Sequence, residues 1–353
     1  MLYKKIALVL EIAAVFIGTL VGAGLASGQE IKQFFTFYGY KSFIGIILCC
    51  FIYIIIGSII IKLSIKHNLG SYNEFIALIC PNILGKFMNI CTSIFLVSSA
   101  SIILAGSGAL IHQYFGIPKI VGVLLMAVVA ILTLFRNTKG LIEVNSFIVP
   151  SLLIVVTTVF ILTILFNKNM FNFTYIKKIP YYKQSWLYSS LIYSGYNLLS
   201  GCGVLVPLSK EIKNKRILTT GTAVGAVGLT ILCIMINLLL LLNVPYIFKY
   251  EIPLLYIVNR FGNIIQIMLL CIIWLEMFST EVSDVYSLSK TLSSAFKIPY
   301  KKAVLLIISI ALPVSQIGFV NLITVLYPCY GVVGFIFVIL CVVFVAKRKA
   351  IDN

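Results

Sequence analysis

Short polar breaks divide this chain into apolar runs, nearly all long enough to cross a bilayer, and that spacing leaves few architectures open. A membrane-crossing helix needs about 20 mostly apolar residues. Such runs fall at 6–34, 42–66, 84–112, 118–135, 139–166, 185–208, 217–243, 262–290, 302–317 and 320–346. Ten spans are expected, the last two joined by a very short turn near Gly318. Of the 353 residues, 61% are hydrophobic and 10% charged, whereas a soluble domain carries about a quarter of its residues charged. The expected class is therefore an all-α polytopic membrane protein. The first run is too long and wrongly flanked for a cleaved signal peptide.

The formal net charge of +17 does not indicate a nucleic-acid partner, because the basic residues sit in short clusters between apolar runs. With a cytoplasmic N-terminus, roughly two of every three Lys and Arg residues fall on the inner side, as the positive-inside rule requires. Both termini are thus expected in the cytoplasm, with the chain multi-pass in the plasma membrane. The nine cysteines form no CxxC motif, and eight of them lie within apolar runs, which suits small buried hydrophobes. His67 and His112 are too few and too far apart for an imidazole metal site. No convergent nucleophile, acid and base point to an enzyme, and a single chain without a symmetric pore repeat does not suggest a channel.

The first five spans, about 6–166, lie over the last five, about 185–346, at a nearly constant offset. Gly22-Ala23-Gly24 and Gly201-Cys202-Gly203 are 179 residues apart. Five is odd, so the second copy enters the membrane from the opposite side, the inverted-repeat arrangement of many secondary transporters. Span one carries four glycines between Gly18 and Gly28, which are poor helix formers. Gly22 and Gly24 point to different faces, so a packing motif explains them less well than a locally unwound stretch with bare carbonyls and amides. A second break is expected in span six, within Tyr193 to Gly203.

The run Val21-Gly22-Ala23-Gly24-Leu25-Ala26-Ser27-Gly28-Gln29-Glu30 with Phe34-Phe35, the Tyr196-Asn197 pair, and Glu276-Met277-Phe278-Ser279-Thr280-Glu281-Val282 resemble the YkvI-like bacterial membrane proteins. These belong to the amino acid–polyamine–organocation superfamily. The resemblance covers essentially the whole chain and implies the LeuT-type five-plus-five fold, with helices one and six broken. It implies one transporter domain over residues 1–353 and names no substrate.

In that fold, the widely shared sodium site takes two carbonyls at the first break and three oxygens of helix eight. Here the resemblance carries it to the carbonyls of Gly18, Val21 and Glu276 and the hydroxyls of Ser279 and Thr280, a donor set suited to a hard ion. Against this, Ser and Thr in membrane helices commonly bond the carbonyl one turn back. Leu25 stands where a second sodium site would need Asn, so that site is expected to be missing. Glu276, Thr280, Asp284 and Ser287 share one helical face. Glu11, Glu143, Glu276 and Asp284 are accordingly the candidates for proton coupling, since acids inside spans usually carry protons or line polar paths.

A solute is expected at mid-membrane between the two breaks, cradled by Gly22, Ala23 and Gly24 with Ser27. Tyr193, Ser194, Tyr196 and Asn197 supply aromatic walls and polar groups, and Ser98, Ser99 and Ser101 of span three contribute. No basic residue falls in the expected core of a span, so a zwitterion such as an amino acid fits better than a strong anion. Ser71 to Ile79 suits a short amphipathic helix, and 252–259 an outer-loop helix able to act as a lid. Cation-coupled transport of a small organic solute, with sodium or protons as the ion, is the leading reading. A non-transporting ligand sensor of the germinant-receptor type is the alternative, and no cofactor beyond a sodium ion is expected. In a cysteine-free background, a cysteine at Lys178 should label with an impermeant reagent from outside intact cells, and one at Lys213 only after permeabilisation. The reverse pattern would invert the topology.

Overall fold

The computed structural model describes residues 2–80, 83–136, 141–166 and 173–352, apart from the side chains of 2–3, 84, 89, 141–147, 149, 173–175, 294–295 and 348–352. Its regular structure is helical throughout these residues. The first apolar run forms three pieces: α1 (Leu2–Leu20), α2 (Ala23–Ser27) and α3 (Gln29–Phe34). The rest of the first half is α4 (Lys41–Lys66), the short α5 (Tyr72–Ile79), α6 (Ile83–Phe115), α7 (Lys119–Arg136) and α8 (Leu141–Phe166). After the connecting α9 (Phe173–Lys178) come α10 (Trp186–Ile212), α11 (Lys215–Leu241), α12 (Pro253–Val258), α13 (Asn263–Phe296), α14 (Tyr300–Ser315) and α15 (Phe319–Asp352).

Among the described residues, seven helices are long and apolar enough to cross a membrane by length and composition: α4, α6, α7, α10, α11, α13 and α15. The interrupted α1–α3, the apolar stretch of α8 and the 16-residue α14 complete the expected ten. The turn between α14 and α15 closes at Gly318, whose φ of 98° lies where only glycine sits without strain.

The packing repeats itself between the halves. α1 lies on α11 as α4 lies on α10; α6 meets α14 and α15 as α13 meets α7 and α8; α5 packs on α6 as α12 packs on α13. Exchanging the two five-helix sets converts each contact into its partner, which is the five-plus-five inverted repeat. One pairing breaks the symmetry: α10 and α15 make the most extensive helix contact, while their counterparts α1 and α8 touch sparsely.

That asymmetry corrects the expected break in span six. α10 is continuous from Trp186 to Ile212. Its glycine is used for close approach instead. A Cβ on Gly195 would fall 2.4 Å from the Phe335 amide nitrogen, and one on Gly334 would fall 2.2 Å from the Gly195 carbonyl oxygen. Two backbones in contact here exclude any side chain, and van der Waals packing of this kind drives helix association in lipid.

Side-chain faces follow lipid rather than polarity. On α4, Ile44, Ile47, Phe51 and Ile55 are exposed, while Ile46, Cys49, Tyr53, Ile56 and Ile60 enter the core. Both stripes recur at helical spacing, and both are apolar. Cys271 and Cys329 also face outward, unlike the buried cysteines the sequence suggests.

α5 forms where expected. Its Ser71 hydroxyl accepts the Glu74 N–H at 3.3 Å, and the Glu74 carboxylate accepts the Gly70 N–H at 2.8 Å. This is a reciprocal cap. The Gly70 N–H holds the Glu74 carboxyl below the usual carboxylate range.

Gly334→Val should destabilise the protein by about 1–3 kcal/mol or prevent folding, read as a drop in melting temperature in detergent. Gly203→Val, where an added Cβ meets nothing within 4 Å, should change stability by no more than about 0.5 kcal/mol.

Candidate functional site

The first helix opens where its glycines stand. The ladder of α1 ends with the Val21 N–H on the Ile17 carbonyl at 2.8 Å, and the next step is the Ala26 N–H on Gly22 at 2.9 Å. Between them Gly22 is extended, with φ −119° and ψ −174°. The helix turns again at Gly28, in the left-handed region at φ 81°. Ser27 holds this second turn. Its hydroxyl donates to the Gly24 carbonyl at 2.9 Å and accepts the Gln29 N–H at 3.2 Å. Ser27 thus bonds the backbone on both sides of this turn.

Glu30 of α3 folds back onto this break. An added Cβ on Gly24 would fall 2.6 Å from its Oε1, so glycine is what admits the carboxyl there. Glu30 is 1% exposed. Tyr193 of α10 donates to its Oε2 in a long bond of 3.4 Å, and Tyr327 of α15 stands near it. The surrounding wall is aromatic. Phe34 and Phe35 lie 5.1 and 4.9 Å from the Tyr193 ring, and Tyr327 stacks on Tyr196 at 4.8 Å. Asn197 donates to the Tyr53 hydroxyl and to the Tyr193 carbonyl, each at 3.1 Å. A cavity of about 10 Å³ lies behind Tyr193, bounded by Phe35, Tyr53 and Cys233, room for about one water.

The sequence candidates therefore divide. Gly24 and Tyr193 both meet the Glu30 carboxyl, Tyr196 stacks on Tyr327 beside it, and Asn197 turns to Tyr53 of α4. Ser194 bonds its own helix at Leu191, and Ser101 bonds Val97. Ser98 reaches α15, sharing a 3.0 Å hydrogen bond with Tyr330. Gly18 and Val21 flank the end of the α1 ladder, and α13 packs on α2 just beyond it. On α13 the Thr280 hydroxyl donates to the Glu276 carbonyl at 2.9 Å, so two of the five oxygens expected around sodium are bonded to each other. Ser279 and Glu276 are buried. No group of three or more His, Cys, Asp and Glu side chains suited to a metal occurs among the described residues.

Of the proton-coupling candidates, Glu11 is exposed on α1, which removes it from the core. The Glu143 side chain lies outside the described residues. Asp284 turns inward, its Oδ2 enclosed without a partner and Ser99 of α6 nearby. Sequence reading assigned no role to Glu30, Glu281 or Tyr327, and it placed Ser99 with Ser98 and Ser101 at the solute site. The acids carried a signal, since any carboxyl inside a span is costly. Tyr327 carried none, because only the packing of α15 brings it inward.

The side of the break that faces α12 is covered. In α12, Leu254, Leu255, Ile257 and Val258 are at most 1% exposed, and Leu254 abuts Gly28. The Gln113 side-chain amide pairs with Ile252 like a neighbouring strand, donating to its carbonyl at 2.8 Å and accepting its N–H at 2.9 Å. Lys32 donates to the Tyr250 carbonyl at 2.9 Å, and Lys119 pairs with Glu251 at 2.5 Å.

No protein-family model matches the chain. It is 30% identical over 328 residues to YkvI of Bacillus subtilis strain 168, an uncharacterized membrane protein, and the match covers 93% of each chain. The chain belongs to the YkvI family. A second relative, YyaD of the same organism, is 25% identical over 92% of this chain and 93% of its own. Among solved structures, the inward-facing form of Mhp1 matches with a TM-score of 0.71, covering 92% of this chain and 73% of Mhp1. A manganese transporter mutant from Eremococcus coleocola gives 0.63, over 96% of this chain and 78% of its own. A Na+-coupled sialic acid symporter gives 0.61, over 92% and 75%. At 14–15% identity, what is shared is the LeuT-type fold.

Gln113→Ala orphans two buried backbone groups of Ile252, at a cost of about 1–3 kcal/mol each when unsatisfied. The expected result is a lower melting temperature together with faster labelling of a cysteine at Leu254 from outside. Unchanged labelling would show that this pair does not hold α12 down.

Proposed function

We propose that this chain is a secondary transporter of a small organic solute, an amino acid or related zwitterion, working by alternating access and coupled to a cation. The observation that carries the reading is the buried Glu30 carboxyl against the interrupted first helix, walled by Tyr193, Tyr196 and Tyr327 at the interface of the two repeats. A solute ammonium finds there a carboxylate and aromatic faces, the two groups that attract it most strongly away from water. Amides bared at Gly22 and Ala23 suit its carboxylate. The covered side supplies one of the two end states that alternating access needs. Likeness of fold to Mhp1, a nucleobase-cation-symport-1 family transporter, and to a Na+-coupled symporter supports the class.

Two coupling ions fit the residues. Sodium would take the carbonyls of Gly18, Val21 and Glu276 with the hydroxyls of Ser279 and Thr280, provided Thr280 turns from the Glu276 carbonyl. Protons would take Glu276 and Asp284. The deciding experiment is uptake of an amino acid panel into proteoliposomes, with sodium and pH gradients imposed independently. Accumulation of one class of zwitterion under one gradient is expected, falling about 10-fold or more in Glu30→Gln, since a charged hydrogen bond contributes about 1.5–3 kcal/mol. Binding by thermal shift without flux under either gradient would replace the transporter reading with the sensor.

A further inference from the structure

A second cavity lies away from the Glu30 site and shares no residue with it. It holds about 200 Å³ where the start of α7, the chain just before α12 and the turn between α14 and α15 meet. Its polar lining is Lys119, Glu251, Ser315, Gln316 and Asn321. Lys119 pairs with Glu251, and the two side chains are 45% and 31% exposed, so a dissolved molecule can reach both. A cavity of about 150 Å³ accepts benzene, so this one has room for about six to nine non-hydrogen atoms. That is the size of a small amino acid and too small for a peptide.

Both signs of charge stand in its wall, and neither is fully used. Among the described residues, the Glu251 carboxylate receives one hydrogen bond, from Lys119, and its Oε2 is enclosed with no partner. Lys119 spends on that bond one of the three N–H donors an ammonium carries. Gln316 turns its amide nitrogen to Leu312 and Ser315, and Asn321 donates to the Ile317 carbonyl at 2.9 Å. Their side-chain oxygens are left to accept. Ser315 is already committed, donating to the Leu312 carbonyl at 2.7 Å. The cavity thus offers acceptors from Glu251, Gln316 and Asn321, and donors from Lys119. Gly318 and Val320 bring the start of α15 to the same wall, which adds the partial positive charge of a helix N-terminus.

A lone anion would bond Lys119 against the field of Glu251, and a lone cation the reverse. A molecule with both charges meets no such opposition. Its ammonium has three donors for the carboxylate and the two amide oxygens, and its carboxylate accepts from Lys119. We propose that this cavity binds a small zwitterion of the amino acid type, as a site separate from the one beside Glu30. Because Glu251 directly precedes Ile252, the occupant joins α7 and the α14–α15 turn to the chain that leads into α12. The site stands on its own residues and holds whether or not the chain transports.

Saturation-transfer NMR on the purified full chain in nanodiscs tests this with glycine, alanine and serine against propionate and propylammonium. In Glu30→Gln, which removes the other carboxyl, the amino acids should still bind. The singly charged probes should bind about 10-fold or more weakly, the loss of one charged hydrogen bond. The same weakening is expected for serine in Lys119→Gln and in Glu251→Gln. Asn321→Trp, at an exposed position on the cavity wall, fills the space with the ion pair intact and carries the test if the pair is needed for folding. Propionate binding as well as alanine, no binding of any amino acid, or binding unchanged by all three cavity substitutions overturns the proposal. Binding lost in Glu30→Gln but indifferent to the cavity variants also overturns it, and leaves the reading of the Glu30 site intact. Cavity-dependent binding that ignores Glu30→Gln, in a protein without flux under either gradient, leaves this site standing and removes the transporter.

Discussion

Inside a bilayer every peptide N–H and C=O needs a partner from the chain itself, since no water is there to supply one. A helix meets that demand automatically, so the one place where this chain abandons it controls the rest. Between Ile17 and Ala26 the ladder stops, and the groups released there are tolerated because α13 and α10 wrap the site and keep lipid away. Ser27 repairs the far side of the opening with two hydrogen bonds. Gly24 leaves the space into which Glu30 turns. A side chain at Gly24 would close the opening and evict the carboxyl at once, so one position governs both the backbone and the charge.

The two halves began from similar glycine content and settled it differently. In the first, Gly22 and Gly24 unwind the helix. In the second, Gly195 lets α10 touch α15 backbone to backbone, and the helix runs on unbroken. A glycine lowers the cost of both outcomes, and the neighbouring helix selects between them. When a partner such as α15 presents its own glycine, dispersion contacts reward a straight, close-packed helix. α1 has only a sparse contact with α8 and no such reward.

This explains what was legible in the sequence. Span number and the inverted repeat could be read because both depend on length and spacing, and the short α5 and α12 because caps and turns are local. The first break was readable from glycines on different faces. The fate of span six was not, because it depends on Gly334, 139 positions further along the chain. Faces were illegible for a different reason: α4 shows lipid and core the same residue types, Ile44 outside and Ile46 inside. The site was half legible. Tyr193, Tyr196 and Asn197 follow from polar groups in an apolar run, while Tyr327 enters only through the packing of α15. Glu281 stands one residue off the face that Glu276, Thr280 and Asp284 share, and attention to periodicity passed over it.

Burial and chemistry then pull in one direction. Among the described residues, a core with four acids and one tethered lysine is stable only while those acids are neutral, hydrogen-bonded or matched by an incoming cation. Tyr193 meets Glu30 with a hydroxyl, which favours neither a rigid ion pair nor a dry apolar fit. Hydroxyls can yield to an arriving ammonium, as a resident lysine could not without leaving its own charge stranded. Meanwhile the cover over the break is fastened by groups that do not belong to that core: the Gln113 amide, the Lys32 ammonium on a carbonyl, and the Lys119–Glu251 pair. Charge selection and closure are thus carried by separate sets of contacts meeting at Gly28 and Leu254. Each can therefore change state without dismantling the other, which is what the proposed alternating access requires.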